Sequence, residues 1–201
     1  LMLIRNHGEN AIEELGQASK MVNLIGQNYR LTEIQAAIGI EQLKKVNELI
    51  NRRVTLANHL TEGIKDISGI EGPKLRSGCR NVFYEWVAKI DENILGVKRS
   101  LYLKALLAEG VPISGGYVKP LYKLKCFQEK IAIGNEGFPF TLGNVCYKNI
   151  SLPIVENLHA NSMIELYICS YQLSDLEMNL IIDAFHKVHE NIKELVELNE
   201  Q

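Results

Sequence analysis

Apolar residues recur at three- and four-residue spacing between Glu33 and about Asp66: Ile34, Ala37, Ile38, Val46, Leu49, Ile50, Leu56, Ala57, Leu60 and Ile64. Charged residues fill the opposite positions, so the stretch predicts one long amphipathic helix. Thr32 and Gln35 stand ahead of it in capping-box spacing, and Glu33 sits where the positive end of the helix dipole favours an acid. Gly39 is an internal weak point, costing about 1 kcal/mol relative to alanine, and marks either close packing or a bend. Gly63, Gly69, Gly72 and Pro73 end the pattern. A helix this long is expected to bridge two units.

Alternation predicts a strand over Asn81–Asp91. Val82, Tyr84, Trp86, Ala88 and Ile90 share one face, and Phe83, Glu85, Val87 and Lys89 the other. Residues 97–109 predict an amphipathic helix closed by Gly110, and Val111–Ser114 a short strand. Met163–Ser170 reads as a strand with Ile164, Leu166 and Ile168 on one face. Ser174-Asp175-Leu176-Glu177 is a second capping box. It opens a last helix bearing Leu180, Ile181, Ala184, Phe185, Val188 and Ile192. Residues 1–8 read as a helix end, 11–26 as loop with one short strand, and 124–149 as an irregular cover. Helices alternating with a few strands suit an α/β layer with a small mixed or antiparallel sheet.

Composition narrows the function. The chain has 201 residues, a formal charge of −2 and 46% hydrophobic residues. That is enough to bury a core. The balanced charge implies no nucleic acid or other polyanion as partner. No apolar run reaches membrane-spanning length, and no secretory signal opens the chain. Cys79, Cys126, Cys146 and Cys169 are scattered, with no C-x-x-C pair, so reduced thiols in a cytoplasmic protein are expected. His186 and His189 lie three apart, but no third ligand is near in sequence, and no metal site is expected. The start at Leu1-Met2-Leu3-Ile4-Arg5-Asn6-His7-Gly8 suggests a piece of a longer protein, or an initiation at Met2.

Two polar segments carry candidate chemistry. The first, Gly26-Gln27-Asn28-Tyr29-Arg30, leads into the Thr32 cap and presents an amide, a phenol and a guanidinium at a helix start. Asn28 and Arg30 suit an anionic group such as a phosphate or carboxylate, or else tie down the loop. The second is Gly115-Gly116-Tyr117-Val118-Lys119-Pro120-Leu121-Tyr122. Its glycines let backbone approach closely, and it is either a pocket edge or a tyrosine-rich structural turn.

The order Gly-x-Asn-x-Arg-x-Thr-Glu-x-Gln-Ala-Ala resembles the signature of the DegT family of sugar aminotransferases, which use pyridoxal phosphate (PLP). The resemblance covers about the C-terminal half of a family member, from just past the lysine that carries the cofactor to the end. It implies a fold-type I transferase with residues 1–32 as the tail of the large PLP-binding domain. Residues 33–66 would be the bridging helix and 67–201 the small C-terminal domain. The asparagine matching Asn28 reaches the cofactor phosphate of the neighbouring subunit, so a homodimer with shared active sites is implied. Arg30 then faces the substrate's anionic part or holds the loop.

A segment resembling Leu-Arg-Asn-His-Gly lies just after the family lysine. This places His7 toward the active site, unless it is an ordinary surface histidine. The Gly115–Tyr122 loop departs from the common His-Tyr-x-Pro-Leu-His pattern and resembles a subgroup with Gly-Tyr-x-x-Pro-Leu-Tyr. Tyr117, Lys119 and Tyr122 are thereby weaker substrate-side candidates. Tyr84 stands where relatives have the histidine of a His-x-Tyr strand motif and reads as packing first. Ser151-Leu152-Pro153-Ile154 resembles the family's Leu-Pro-Ile. The implied activity moves an amino group from glutamate or glutamine to a keto group, typically on a nucleotide-linked sugar. No lysine here stands in the cofactor-binding context, so no catalytic residue is expected in this chain, which alone is expected to be inactive. The alternatives are a PLP-dependent sugar dehydratase of the same family and a non-catalytic module that folds or dimerises alone.

Overall fold

The computed structural model describes residues 2–5, 25–134 and 136–199. His7, and the loop and strand expected over 11–26 except its last two residues, lie outside the described residues. In chain order the elements are α1 (Met2–Arg5), α2 (Glu33–Gly63), β1 (Ile70–Glu71), β2 (Trp86–Ile90), α3 (Glu92–Leu95) and α4 (Arg99–Ala108). There follow β3 (Ile113–Gly115), α5 (Lys125–Gln128), α6 (Pro153–Asn157), β4 (Met163–Leu166), α7 (Asp175–Glu190) and α8 (Ile192–Asn199). They divide into two compact units, Leu1–Leu49 and Ile50–Gln201.

In the first unit, the polar corner is tied to α1 by two backbone hydrogen bonds. Gln27 N donates to Ile4 O at 2.8 Å and Tyr29 N to Arg5 O at 3.0 Å. The capping box forms as expected: Gln35 N donates to Thr32 Oγ1 (3.2 Å) and Thr32 N to Gln35 Oε1 (2.9 Å). The apolar stripe on this half of α2 is exposed at Ile34, Ile38, Leu43 and Leu49. Among the described residues no atom lies within 4 Å of a Cβ built at Gly39, so of the two readings, close packing or a bend, none of these residues supplies the first.

The second unit is built on a four-stranded antiparallel sheet of order β1-β2-β4-β3. Its register puts the apolar residues opposite one another: Trp86 faces Leu166, Ala88 faces Ile164, and Ile113 faces Leu166 from the other side. Because side chains alternate across a strand, this one register sends Trp86, Ala88, Ile90, Ile113, Ile164 and Leu166 to one face. The C-terminal half of α2, with α4 and α7, covers that face through Leu56, Leu60, Tyr102, Leu106, Met178 and Phe185. Trp86 is fully buried, yet its indole N–H donates to Thr61 Oγ1 at 2.9 Å, and Thr61 passes its own proton to Ala57 O at 2.7 Å. The indole thus enters the core without leaving a donor unpaired. Its ring meets Phe185 edge-on, centroids 6.4 Å apart. Arg52 fastens α2 to the start of α7, bonding Asp175 Oδ1 (2.7 Å) and Leu173 O (2.9 Å).

Three expectations are corrected. The strand foreseen from Asn81 begins only at Trp86, because Phe83 takes φ 49° with its N–H on Asn81 Oδ1 (2.9 Å). That left-handed step inverts the alternation, burying Phe83 and exposing Val82 and Tyr84. Asp91 ends β2 by capping a short helix, α3, that the pattern did not show; Asn93 N donates to its Oδ1 at 3.0 Å. On α7 the Ser174–Glu177 capping box forms, but Leu180 is exposed and Met178 takes a core position instead. His186 is used structurally, its Nε2 lying 2.8 Å from Gly63 O. Among the described residues no cluster could hold a metal ion.

Truncating Phe185 to alanine should therefore lower unfolding free energy by about 3–5 kcal/mol, whereas Leu180→Ala should change it by less than about 0.5 kcal/mol. Urea denaturation midpoints of the two variants check this contrast.

Candidate functional site

Asn28 and Arg30 are both exposed on the loop before α2. Asn28 Oδ1 accepts the Arg30 backbone N–H at 3.3 Å, a long bond that orients the carboxamide. Among the described residues the Asn28 amide nitrogen has no partner. Carboxamide and guanidinium are donor groups at the electropositive end of a 31-residue helix. That donor set fits a phosphate or carboxylate and nothing cationic.

The 115–123 loop is sewn down at several points. Gly116 has φ 86°, and a side chain there would run into the His159 carbonyl oxygen, so only glycine fits. His159 Nδ1 meets Gly116 O, and Gly116 N donates to Met163 O at 3.2 Å. Tyr117 follows with φ 49°, an unfavourable region for a non-glycine residue, and its ring is about half exposed. Lys119 is exposed. Tyr122 points inward: it is buried, and its hydroxyl donates to Glu156 Oε1. The same carboxylate accepts Leu152 N (3.2 Å) and lies 3.4 Å from Lys123 Nζ. Donors on the ionised form, Tyr122 first and then the Leu152 amide, hold the Glu156 carboxyl below the usual range. Burial, and then the Glu156 contact, push the Tyr122 phenol upward.

Beside this loop lies a group that the sequence pattern did not single out. Glu165, on β4, is 2% exposed. Its Oε1 accepts Ser114 Oγ (2.9 Å) and the Tyr117 backbone N–H (3.0 Å). Its Oε2 is buried without a partner, as is Oε1 of Glu85. Burial first, and then the Glu165 charge, raise the Glu85 pKa, an effect partly offset by the Tyr167 hydroxyl. The signal available in the sequence was one acid inside the run Met163-Ile164-Glu165-Leu166, where alternation puts it on the face away from the core.

A separate recess of about 520 Å³ lies at the β1–β2 edge near Asn157 and Asn161. Its charged groups are already committed. Glu71 pairs with Lys74 and, at 2.6 Å, with Lys89, while Asp91 caps α3. The sequence candidates thus fall into two groups, Asn28 with Arg30 in the first unit and Tyr117, Lys119 and Tyr122 on one loop of the second.

With this geometry in hand, comparison with known proteins identifies the class. Residues 1–167 match the DegT/DnrJ/EryC1/StrS aminotransferase family, and the chain belongs to that family. It is 26% identical over 191 residues to an L-glutamine:2-deoxy-scyllo-inosose aminotransferase of Micromonospora echinospora, covering 93% of this chain and 44% of that protein. The crystal structure of a DegT DnrJ EryC1 StrS aminotransferase from Brucella abortus superposes with a TM-score of 0.63 at 25% identity, over 94% of this chain and 42% of that one. DesI, determined in the presence of its TDP-sugar product, shares the fold with a TM-score of 0.69 at 19% identity, over 100% of this chain and 44% of that one. The fold is thus that of fold-type I sugar aminotransferases, as the signature implied. The chain spans less than half the length of each of these proteins.

The Tyr122–Glu156 bond generates a pH-dependent expectation. Glu156 titrates lower in the folded chain than unfolded, so its stabilisation is present above the unfolded value, about 4.3, and is lost as pH falls through the depressed folded value. Tyr122→Phe should destabilise the chain at pH 7, with the gap to the unsubstituted chain narrowing toward pH 3. Urea midpoints at the two pH values supply the comparison, and a gap that does not narrow refutes the assignment.

Proposed function

We propose that this chain is the C-terminal part of a PLP-dependent aminotransferase that moves an amino group from glutamate or glutamine to a keto group. The substrate would be a nucleotide-linked sugar or a related cyclic polyol. The observation that carries the reading is the exposed Asn28–Arg30 corner on the capped start of α2, within the stretch that bears the family signature. The amino donor is supported by the glutamine in the name of the Micromonospora relative.

The cofactor, when bound, supplies the electron sink for transamination. In this reading the Asn28 carboxamide donates to its phosphate across the interface of a homodimer. Arg30 takes the anionic part of the substrate. Tyr117 and Lys119, both exposed, border the substrate, with His7 from the large-domain tail, while Tyr122 holds their loop in place through Glu156. The exposed apolar residues of α2, Ile34, Ile38 and Leu43, are the kind of surface that an interface covers. We assign 1–32 to the large-domain tail, 33–66 to the bridge and 67–201 to the small domain. The parent would work in the cytoplasm.

In the full-length parent, Asn28→Asp places a carboxylate against the phosphate and should weaken PLP retention by about tenfold or more. Absorbance of bound cofactor after dialysis measures this, and retention equal to the unsubstituted enzyme refutes the role of Asn28. The 201-residue chain alone, mixed with PLP and treated with borohydride, should give no stoichiometric lysine adduct by mass spectrometry.

A further inference from the structure

On the sheet face away from the core, Glu165 stands between Val87 and Ser114 in register. Arg99 faces Glu92 first and then Glu165; its Nη1 donates to His159 O (3.0 Å) and Met163 O (2.8 Å) and its Nη2 to Ala160 O (2.7 Å), while its Nε is buried without a partner. No hydrogen bond joins Arg99 to Glu165, and because the guanidinium also faces Glu92, carboxylates outnumber the one cation among them. The observation that goes beyond acidity is that Glu165, 2% exposed, keeps Oε2 buried and unpartnered, and Glu85 does the same with Oε1. Buried carboxylate oxygens call for donors; neither of these two oxygens has a hydrogen-bond partner among the described residues, although the Tyr167 hydroxyl acts on Glu85.

Three tyrosines adjoin the pair along the chain: Tyr84 precedes Glu85, Tyr117 gives its amide to Glu165, and Tyr167 follows Glu165 by two residues. Tyr167 interacts with both carboxylates and with Tyr84 and Tyr117, whose rings are exposed. Aromatic faces beside carboxylates suit a cation, and an ammonium brings three N–H donors where two orphan oxygens wait. An anion would be repelled, and a neutral hydroxyl would leave the excess charge in place.

We propose that Glu165 and Glu85, walled by Tyr84, Tyr117 and Tyr167, form a subsite for a primary ammonium group on a small molecule. Placed on the proposed function, and resting on it for this step alone, the subsite selects a cyclic polyol that already carries an amine. Burial, and then the Glu165 charge, raise the Glu85 pKa, an effect the Tyr167 hydroxyl opposes.

The test uses the 201-residue chain with carbon-13-labelled glutamate side chains, titrated with glucosamine, N-acetylglucosamine and glucose. Glucosamine should shift the Glu85 and Glu165 carboxyl resonances and bind about tenfold or more tighter than either neutral sugar. Both Glu165→Gln and Glu85→Gln should abolish the preference. Glu85→Gln leaves the Ser114 and Tyr117 hydrogen bonds untouched, so it decides the matter if Glu165→Gln fails to fold. Equal response to the three sugars, or a glucosamine preference that survives Glu85→Gln, overturns the proposal. Because no readout depends on PLP, an ammonium preference in a chain whose parent holds no cofactor would sink the proposed function and leave this subsite standing. The reverse pair of results would do the opposite.

Discussion

A carboxylate taken out of water must find donors or lose its charge. Glu165 meets that constraint by reaching across the sheet edge to the Ser114 hydroxyl and the Tyr117 amide, and the local architecture follows from it. The Tyr117 amide is available only because Gly116 turns the chain sharply at φ 86°, which in turn requires His159 to sit against the turn. Arg99 holds the His159 segment by its carbonyls. One buried charge thereby connects β3, β4, α4 and the turn after α6.

The two faces of the sheet divide the labour. The face under α2, α4 and α7 is apolar in every register pair: Trp86 with Leu166, Ala88 with Ile164, Ile70 with Ile90. It provides the burial that makes the unit stable. The other face carries Glu71 against Lys89, then Val87 and Ser114 flanking Glu165. The apolar face anchors the backbone of the charged residues on this one. A rigid strand is also a better mount for a binding group than a free loop.

Much of this was legible in the residues. Both capping boxes, at Thr32–Gln35 and Ser174–Glu177, form with the predicted reciprocal bonds, because such motifs depend on neighbours three positions apart. Trp86, Ala88, Ile164 and Leu166 share the core face that alternation assigned them. What failed depends on backbone steps and distant partners. No two-residue period foresees the left-handed turn at Phe83, which an asparagine two residues earlier stabilises. Nor does helical spacing tell Leu180 from Met178, since both lie on apolar arcs and only the position of the sheet decides between them. The polar Asn28–Arg30 corner could be singled out because its residues are contiguous. The Glu165 cluster was not, because Glu85, Ser114 and Glu165 come from three separated segments that only the sheet register unites.

The left-handed backbone of Tyr117 gives this register a consequence beyond stability. A residue held at φ 49° keeps that conformation only while its surroundings over-determine it, at a cost of roughly 1–3 kcal/mol. Here the amide that fixes it bonds one oxygen of the carboxylate whose other oxygen is unpartnered. Any donor arriving at that second oxygen draws electron density from the first and weakens its hold on the Tyr117 amide. The ring of Tyr117 is thus tied, through two bonds and one carboxyl group, to the charge state of the sheet beneath it. The loop bearing Lys119 hangs from the same turn, with Tyr122 and Glu156 fixing its far end. A change at Glu165 is therefore confined to the segment between Gly116 and Pro120, which includes the exposed Tyr117, Val118 and Lys119.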